Sequence, residues 1–159
     1  MLPLEEVRAA DTAVAGGKGA NLGDLMAAGF PVPAGFVVLS HAGHAFFETI
    51  GVARDVDGLL QSLSPADLAL RCSSLQRRIL EAEIPPALAD AIREAHARLM
   101  AASGADRPCV VRSSATAEDL PTVTVADQPE TFLNVIGEAA LLDAVIGHRA
   151  AARPPPRRA

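Results

Sequence analysis

Lys18 is the only lysine in a chain that carries 14 basic residues, and it sits inside Gly16-Gly17-Lys18-Gly19-Ala20-Asn21-Leu22-Gly23. Four glycines in eight residues strip side chains from the backbone just ahead of an apolar, helix-forming run at 22–28. Such a stretch brings the N–H groups of residues such as Gly17 and Gly19, and a helix N-terminus, up to an anion. Lys18 supplies a compact ammonium where a planar guanidinium would fit differently. The chemistry implied is capture of a phosphate or another small anion. The alternative is a flexible Gly-rich turn with one solvated lysine. Two familiar nucleotide signatures do not fit: a P-loop needs glycine at Thr12 and Ser or Thr at Gly19, and a dinucleotide fingerprint needs glycine at Leu22.

A second constellation is Arg112-Ser113-Ser114, which follows the apolar run Cys109-Val110-Val111. A strand that delivers an arginine and two hydroxyls into a polar loop is suited to clamp phosphate, because guanidinium pairs bidentately with phosphate oxygens. The competing reading pairs Arg112 with Glu118 or Asp119. The four histidines, His41, His44, His96 and His148, show no metal-ligand spacing. Cys72 and Cys109 form no CxxC and read as small buried apolar residues. No Ser/His/Asp or Cys/His arrangement stands out.

The elements that must position these groups follow from pattern. The opening stretch 4–14 is mixed and has room for a short strand. Residues 22–28 read as a helix capped by Gly29, and Phe30-Pro31-Val32-Pro33 must be extended. A short buried strand is expected over 35–39, then a helix over 41–50 with Ser40 as N-cap and Gly51 closing it. Two long helices flank Pro85-Pro86: the first has a stripe of Leu68, Cys72, Leu75 and Ile79, the second one of Leu88, Ile92, Ala95 and Leu99. Together they read as a helical hairpin, the first helix opening at Ser64-Pro65 and reaching about Glu83, the second ending at Gly104. A buried strand is expected over 108–112, residues 130–135 can form a further strand, and a helix is expected over 137–146 with Leu141, Leu142, Val145 and Ile146 inward. The Arg/Pro/Ala-rich residues 147–159 cannot pack a core and are expected to be disordered. The fold class is thus α/β in the α+β sense, with a domain over 1–146 and a tail over 147–159.

Composition bounds the partners. Net charge of −5 argues against a general polyanion surface, and aromatics at 3%, all Phe, leave little stacking surface for nucleic acid. No signal peptide and no membrane span are read in the chain, so a cytoplasmic protein is the default expectation.

The motifs also carry a resemblance. Residues 16–23 followed by Ala28-Gly29-Phe30-Pro31-Val32-Pro33-Ala34-Gly35-Phe36, then Val111-Arg112-Ser113-Ser114-Ala115-Thr116-Ala117-Glu118-Asp119-Leu120-Pro121, then Glu130-Thr131-Phe132-Leu133-Asn134-Val135, resemble in order three motifs of one domain. It is the ATP-grasp nucleotide-binding domain of the phosphoenolpyruvate synthase, pyruvate phosphate dikinase and rifampin phosphotransferase family. The resemblance implies ATP and Mg²⁺ as cofactors. It also implies transfer of a phosphoryl group through a histidine on a separate domain to pyruvate or a similar acceptor. Carried over by motif, Lys18, Gly17, Gly19, Arg112, Ser113 and Thr131 would hold ATP, with the loop over 121–131 lying across its phosphates.

The chain departs from that pattern at Thr122-Val123-Thr124-Val125-Ala126-Asp127-Gln128-Pro129, where Asp127 stands at an expected loop glycine. A non-Gly residue at positive φ costs about 1–2 kcal/mol. A carboxylate about 5 Å from a phosphate adds repulsion on the order of 3 kcal/mol at an effective dielectric of 20. Repulsion is the larger of the two, so weak ATP binding is expected. The metal-binding carboxylates, the adenine-contacting segment and the phosphocarrier histidine of the family are not found in these 159 residues. The expectation is an ATP-binding portion that is inactive alone, partnered by the missing half or a full-length homologue. The alternative is a non-catalytic nucleotide-binding or interaction module left by truncation.

Overall fold

The computed structural model describes residues 1–52, 55, 65–103, 107–114 and 131–147. In chain order the elements are β1 (Leu2–Pro3), two 3₁₀ turns (Leu4–Glu6 and Ala9–Asp11), α1 (Thr12–Ala27), β2 (Phe36–Val37), α2 (Ser40–Thr49), α3 (Pro65–Glu81), α4 (Pro86–Ser103), β3 (Cys109–Arg112), β4 (Thr131–Val135) and α5 (Glu138–Ile146). The strands form two antiparallel pairs, β1 with β2 and β3 with β4. The mixed α/β class expected from the sequence is what the chain adopts.

The largest departure from the sequence reading lies in the glycine-rich stretch. It is a kinked helix rather than a loop: α1 begins ten residues before Leu22 and runs through all four glycines. Glycine is a poor helix former, and here tertiary packing overrides propensity. Gly23 lets the first 3₁₀ segment cross the helix at close range, since a Cβ there would stand 2.2 Å from the Val7 carbonyl oxygen. Val7, Ala15 and Ala20 are fully or nearly fully buried. The backbone N–H of Ala9 donates to the Asp24 carboxylate at 3.1 Å and ties the second turn to the far end of α1. That end is closed as expected at Gly29: its N–H donates to the Met26 carbonyl and the Phe30 N–H to the Leu25 carbonyl, both at 3.0 Å.

Three further expectations shift. The strand expected within 4–14 lies earlier, at Leu2–Pro3, because residues 4–6 and 9–11 coil into turns held by bonds such as Arg8 N–H to the Asp11 carboxylate at 2.8 Å. The strand expected as buried over 35–39 is two half-buried residues, Phe36 and Val37, paired with Pro3 and Leu2; a two-stranded ribbon has no second layer with which to cover both faces. Ser40 opens α2 as its first residue, the N-cap being Leu39 without a side-chain bond. The Ser40 hydroxyl instead donates across to the Ala13 carbonyl of α1 at 3.5 Å.

The main core joins α4, α5 and the β3–β4 ribbon. Ile92, Val135, Leu141 and Ala144 form its centre, with Cys109, Val111, Phe132, Leu142 and Val145 packed against it. Ile92 is fully buried, worth about 1.5–3 kcal/mol of apolar transfer. The α4 stripe read from the sequence therefore faces the core, with Ile92 and Ala95 buried and Leu88 and Leu99 half-buried. α3 precedes it across the four residues 82–85, ending at Glu81, with Leu75 buried. The side chains of Leu68 and Cys72, residue Gly104 and the tail beyond Gly147 lie outside the described residues. Arg93 on α4 reaches Asp90 at 2.8 Å and also binds Glu138 of α5, and these bonds raise its already high pKa. Among the described residues no helix is long and apolar enough to cross a membrane.

Candidate anion site

The kink in α1 begins with sequence. Gly16 adopts φ 75°, ψ 161°, a conformation open essentially to glycine alone, and divides α1 into two helical pieces. Lys18 therefore falls in the first turn of the second piece, where the helix presents N–H groups and the positive end of its dipole. Its side chain is half-buried, while Gly17 and Gly19 are buried.

Ser114 fills the kink from a distant part of the chain. Its hydroxyl accepts from the Gly19 N–H at 3.1 Å and donates to the Ala15 carbonyl at 3.0 Å. A Cβ on Gly16 would stand 2.3 Å from that hydroxyl oxygen and 2.4 Å from the Ser114 carbonyl oxygen. Gly19 is also close-packed: a Cβ there would meet a Val37 methyl at 3.3 Å. The space beside the bared backbone of Gly16 and Gly19 is filled by other parts of the protein.

Arg112 is the last residue of β3 and lies directly across the antiparallel ladder from Thr131, the first residue of β4. Both are exposed, as is Ser113. Alternation places Arg112 and Thr131 on the outer face of the ribbon, while Val111 and Phe132, the next pair, face the core. Among the described residues Arg112 makes no ion pair; Glu118 and Asp119, offered as its partners from sequence, lie outside the described residues. So do Asp127, Pro129 and the whole loop over 121–130.

Six residues far apart in sequence are thus linked through short local steps. Lys18 adjoins Gly19, Gly19 binds Ser114, Ser114 follows Ser113 and Arg112, and Arg112 faces Thr131. Chemically the set offers an ammonium, a guanidinium, the Ser113 and Thr131 hydroxyls and a helix start, all suited to phosphate oxygens. Sequence reasoning set Ser114 beside Ser113 in the Arg112 clamp and Gly16 at the head of the glycine run, but gave neither a part in a helix kink. Nothing local marked Ser114 apart from Ser113. Among the described residues no group of three or more His, Cys, Asp or Glu side chains is placed to hold a metal ion.

Comparison with known proteins places the chain in a family. The family described as pyruvate phosphate dikinase, AMP/ATP-binding domain, matches residues 12–151. The chain is 41% identical over 138 residues to a probable phosphoenolpyruvate synthase of Methanocaldococcus jannaschii, covering 84% of this chain and 12% of that protein. It is 37% identical over 150 residues to a phosphoenolpyruvate synthase of Aeropyrum pernix, covering 91% and 18%. With a rifampicin phosphotransferase of Streptomyces sviceus the identity is 43% over 149 residues, covering 89% and 16%. The chain spans less than a fifth of the length of each of these three relatives. Since the matched region contains the kinked Lys18 turn, the Arg112 strand end and Thr131 alike, the chain belongs to the pyruvate phosphate dikinase AMP/ATP-binding domain family.

Proposed function

We propose that this chain is the ATP-binding portion of a dikinase-type phosphotransferase, with Lys18, Arg112, Thr131 and Ser113 holding the phosphates and Gly17 and Gly19 forming the backbone of the Lys18 turn. The observation that supports it most is the pairing of Arg112 with Thr131 at a strand end whose continuation reaches the Lys18 turn through Ser114. Phosphoryl transfer asks of a protein mainly positioning and charge neutralisation, and two cations beside two hydroxyls supply both. The full reaction converts ATP to AMP and passes a phosphoryl group through a histidine on another domain to pyruvate or a similar acceptor. These 159 residues alone are proposed to be inactive, with residues 1–146 as the nucleotide-binding portion, residues 147–159 as a tail, an ATP-grasp architecture and a cytoplasmic setting.

Mg²⁺ would accompany ATP and would supply positive charge against the phosphates. The described residues offer no carboxylate cluster to hold it, so their contribution is to bind and orient the phosphates. Calorimetric titration of the chain with ATP, with and without Mg²⁺, tests the reading. Saturable binding that weakens in Lys18→Ala and Arg112→Ala supports it; no heat of binding at millimolar ATP overturns it.

A second reading, an interaction module that pairs with a full-length homologue, draws on a different observation. Val110, Leu133 and Ile136 are 61%, 62% and 56% exposed on and beside the outer face of the β3–β4 ribbon. An apolar face of this kind marks a surface that another chain covers. Co-purification with a full-length family member, lost on Leu133→Lys, would favour it.

A further inference from the structure

In an uninterrupted α-helix the Gly19 N–H would donate to the Ala15 carbonyl, four residues back. At the kink in α1 the Ser114 hydroxyl bridges those same two groups, at 3.1 Å and 3.0 Å. A side chain inserted into the helix ladder is one of the few physical causes of a sharp kink. The insertion comes from a residue 95 positions away in sequence from Gly19. Gly16 provides the space, since any Cβ would collide with both the hydroxyl and the backbone of Ser114.

We propose that Ser114 is a positioning residue for anion capture: its hydroxyl splints the Lys18 turn to the strand end that carries Arg112, so that the two cations are held in one fixed relation. The proposal rests on the reading of Lys18 and Arg112 as phosphate-holding groups. It separates the roles of adjacent serines. Ser113 is exposed beside Arg112, whereas the Ser114 hydroxyl is part-buried and already committed as both donor and acceptor. Ser114 therefore acts through the turn it holds. Without the splint the turn and the strand end would each sample their own orientations, and ATP would have to order them on binding.

The experiment uses the whole chain as wild type, Ser114→Ala and Ser114→Thr, reading amide hydrogen exchange at Gly19 and Ile92 together with ATP affinity by calorimetry. In Ser114→Ala, exchange at Gly19 is expected to rise at least tenfold while Ile92 keeps its protection, and ATP affinity to fall about tenfold. Ser114→Thr, which retains the hydroxyl, is expected to restore both. Unchanged exchange at Gly19 in Ser114→Ala overturns the proposal, as does a loosened Gly19 with ATP affinity intact. Equal loss of protection at Gly19 and Ile92, not restored by threonine, assigns Ser114 a general structural role and also overturns it. If Ser114→Ala fails to fold, ATP added to wild type must slow exchange at Gly19; no slowing counts against the splint. A wild-type chain that binds no ATP defeats the functional reading and the capture claim with it, while exchange at Gly19 still decides whether the splint exists.

Discussion

Arg112 faces Thr131 directly across the β3–β4 ladder, and an extra residue in β4 is what allows that pairing to coexist with a packed core. Counting back from Arg112–Thr131 and Val111–Phe132, a regular ladder would set Cys109 against Asn134, yet Cys109 pairs with Val135. The bulge turns Cys109 and Val135 inward together while Arg112 and Thr131 stay outward. Asn134 takes the strain of it at φ 56°, the one positive φ outside glycine among the described residues. Asparagine tolerates that region better than most residues.

Asn134 therefore makes the first prediction. Asn134→Gly is expected to leave stability within about 0.5 kcal/mol of wild type, and Asn134→Val to cost about 1–2 kcal/mol from the left-handed backbone. Urea denaturation compares the three proteins, and equal midpoints for Val and Gly would show that the bulge does not depend on this residue.

The glycines of α1 and α2 should respond in opposite directions to alanine. Gly16→Ala meets the Ser114 backbone in a conformation alanine rarely adopts, and Gly23→Ala meets the Val7 carbonyl at 2.2 Å. Each is expected to destabilise by at least about 1–3 kcal/mol. Gly43 lies inside α2 with nothing within 4 Å of its added Cβ, so Gly43→Ala should stabilise by roughly 0.5–1 kcal/mol. Thermal melts rank the three; a stabilised Gly16→Ala would remove the basis for the kink as described.

Removing either cation should weaken ATP binding without unfolding the protein. Lys18→Ala and Arg112→Ala each delete a charge-assisted bond worth about 1.5–3 kcal/mol, or roughly 10- to 100-fold in affinity. Arg112→Lys keeps the charge and loses the bidentate fork, so it should fall between wild type and alanine. Titrations at two ionic strengths add a check, because an electrostatic site weakens as salt rises.

Asp127 offers a gain-of-function test. If its carboxylate opposes the phosphates, Asp127→Gly raises ATP affinity, by up to about 100-fold for repulsion on the order of 3 kcal/mol. Unchanged affinity in the glycine variant would place Asp127 away from the nucleotide.

Much of the architecture was legible because it rests on local rules. Pro85-Pro86 had to separate two helices, and the Leu88, Ile92, Ala95, Leu99 spacing had to face one side. Val111 and Phe132 sit in short apolar runs that only a ribbon could use. Burial was harder to read: Val110 looks as apolar as Val111, yet is 61% exposed because alternation on a two-stranded ribbon leaves one face uncovered.

The sequence by itself determined the residues of the candidate site, because Lys18, Arg112 and Thr131 each stand in a distinctive motif and the three occur in order. What only the tertiary structure decided is how they are related. Glycine-rich sequence is locally compatible with a loop, and propensity favours that choice. It becomes a kinked helix because Val7 packs against Gly23 and Ser114 reaches into the gap at Gly16. Those contacts join residues up to 99 positions apart, and no local pattern around Ser114 encodes its partner. The hydroxyl finds its place only once β3 and α1 are packed together.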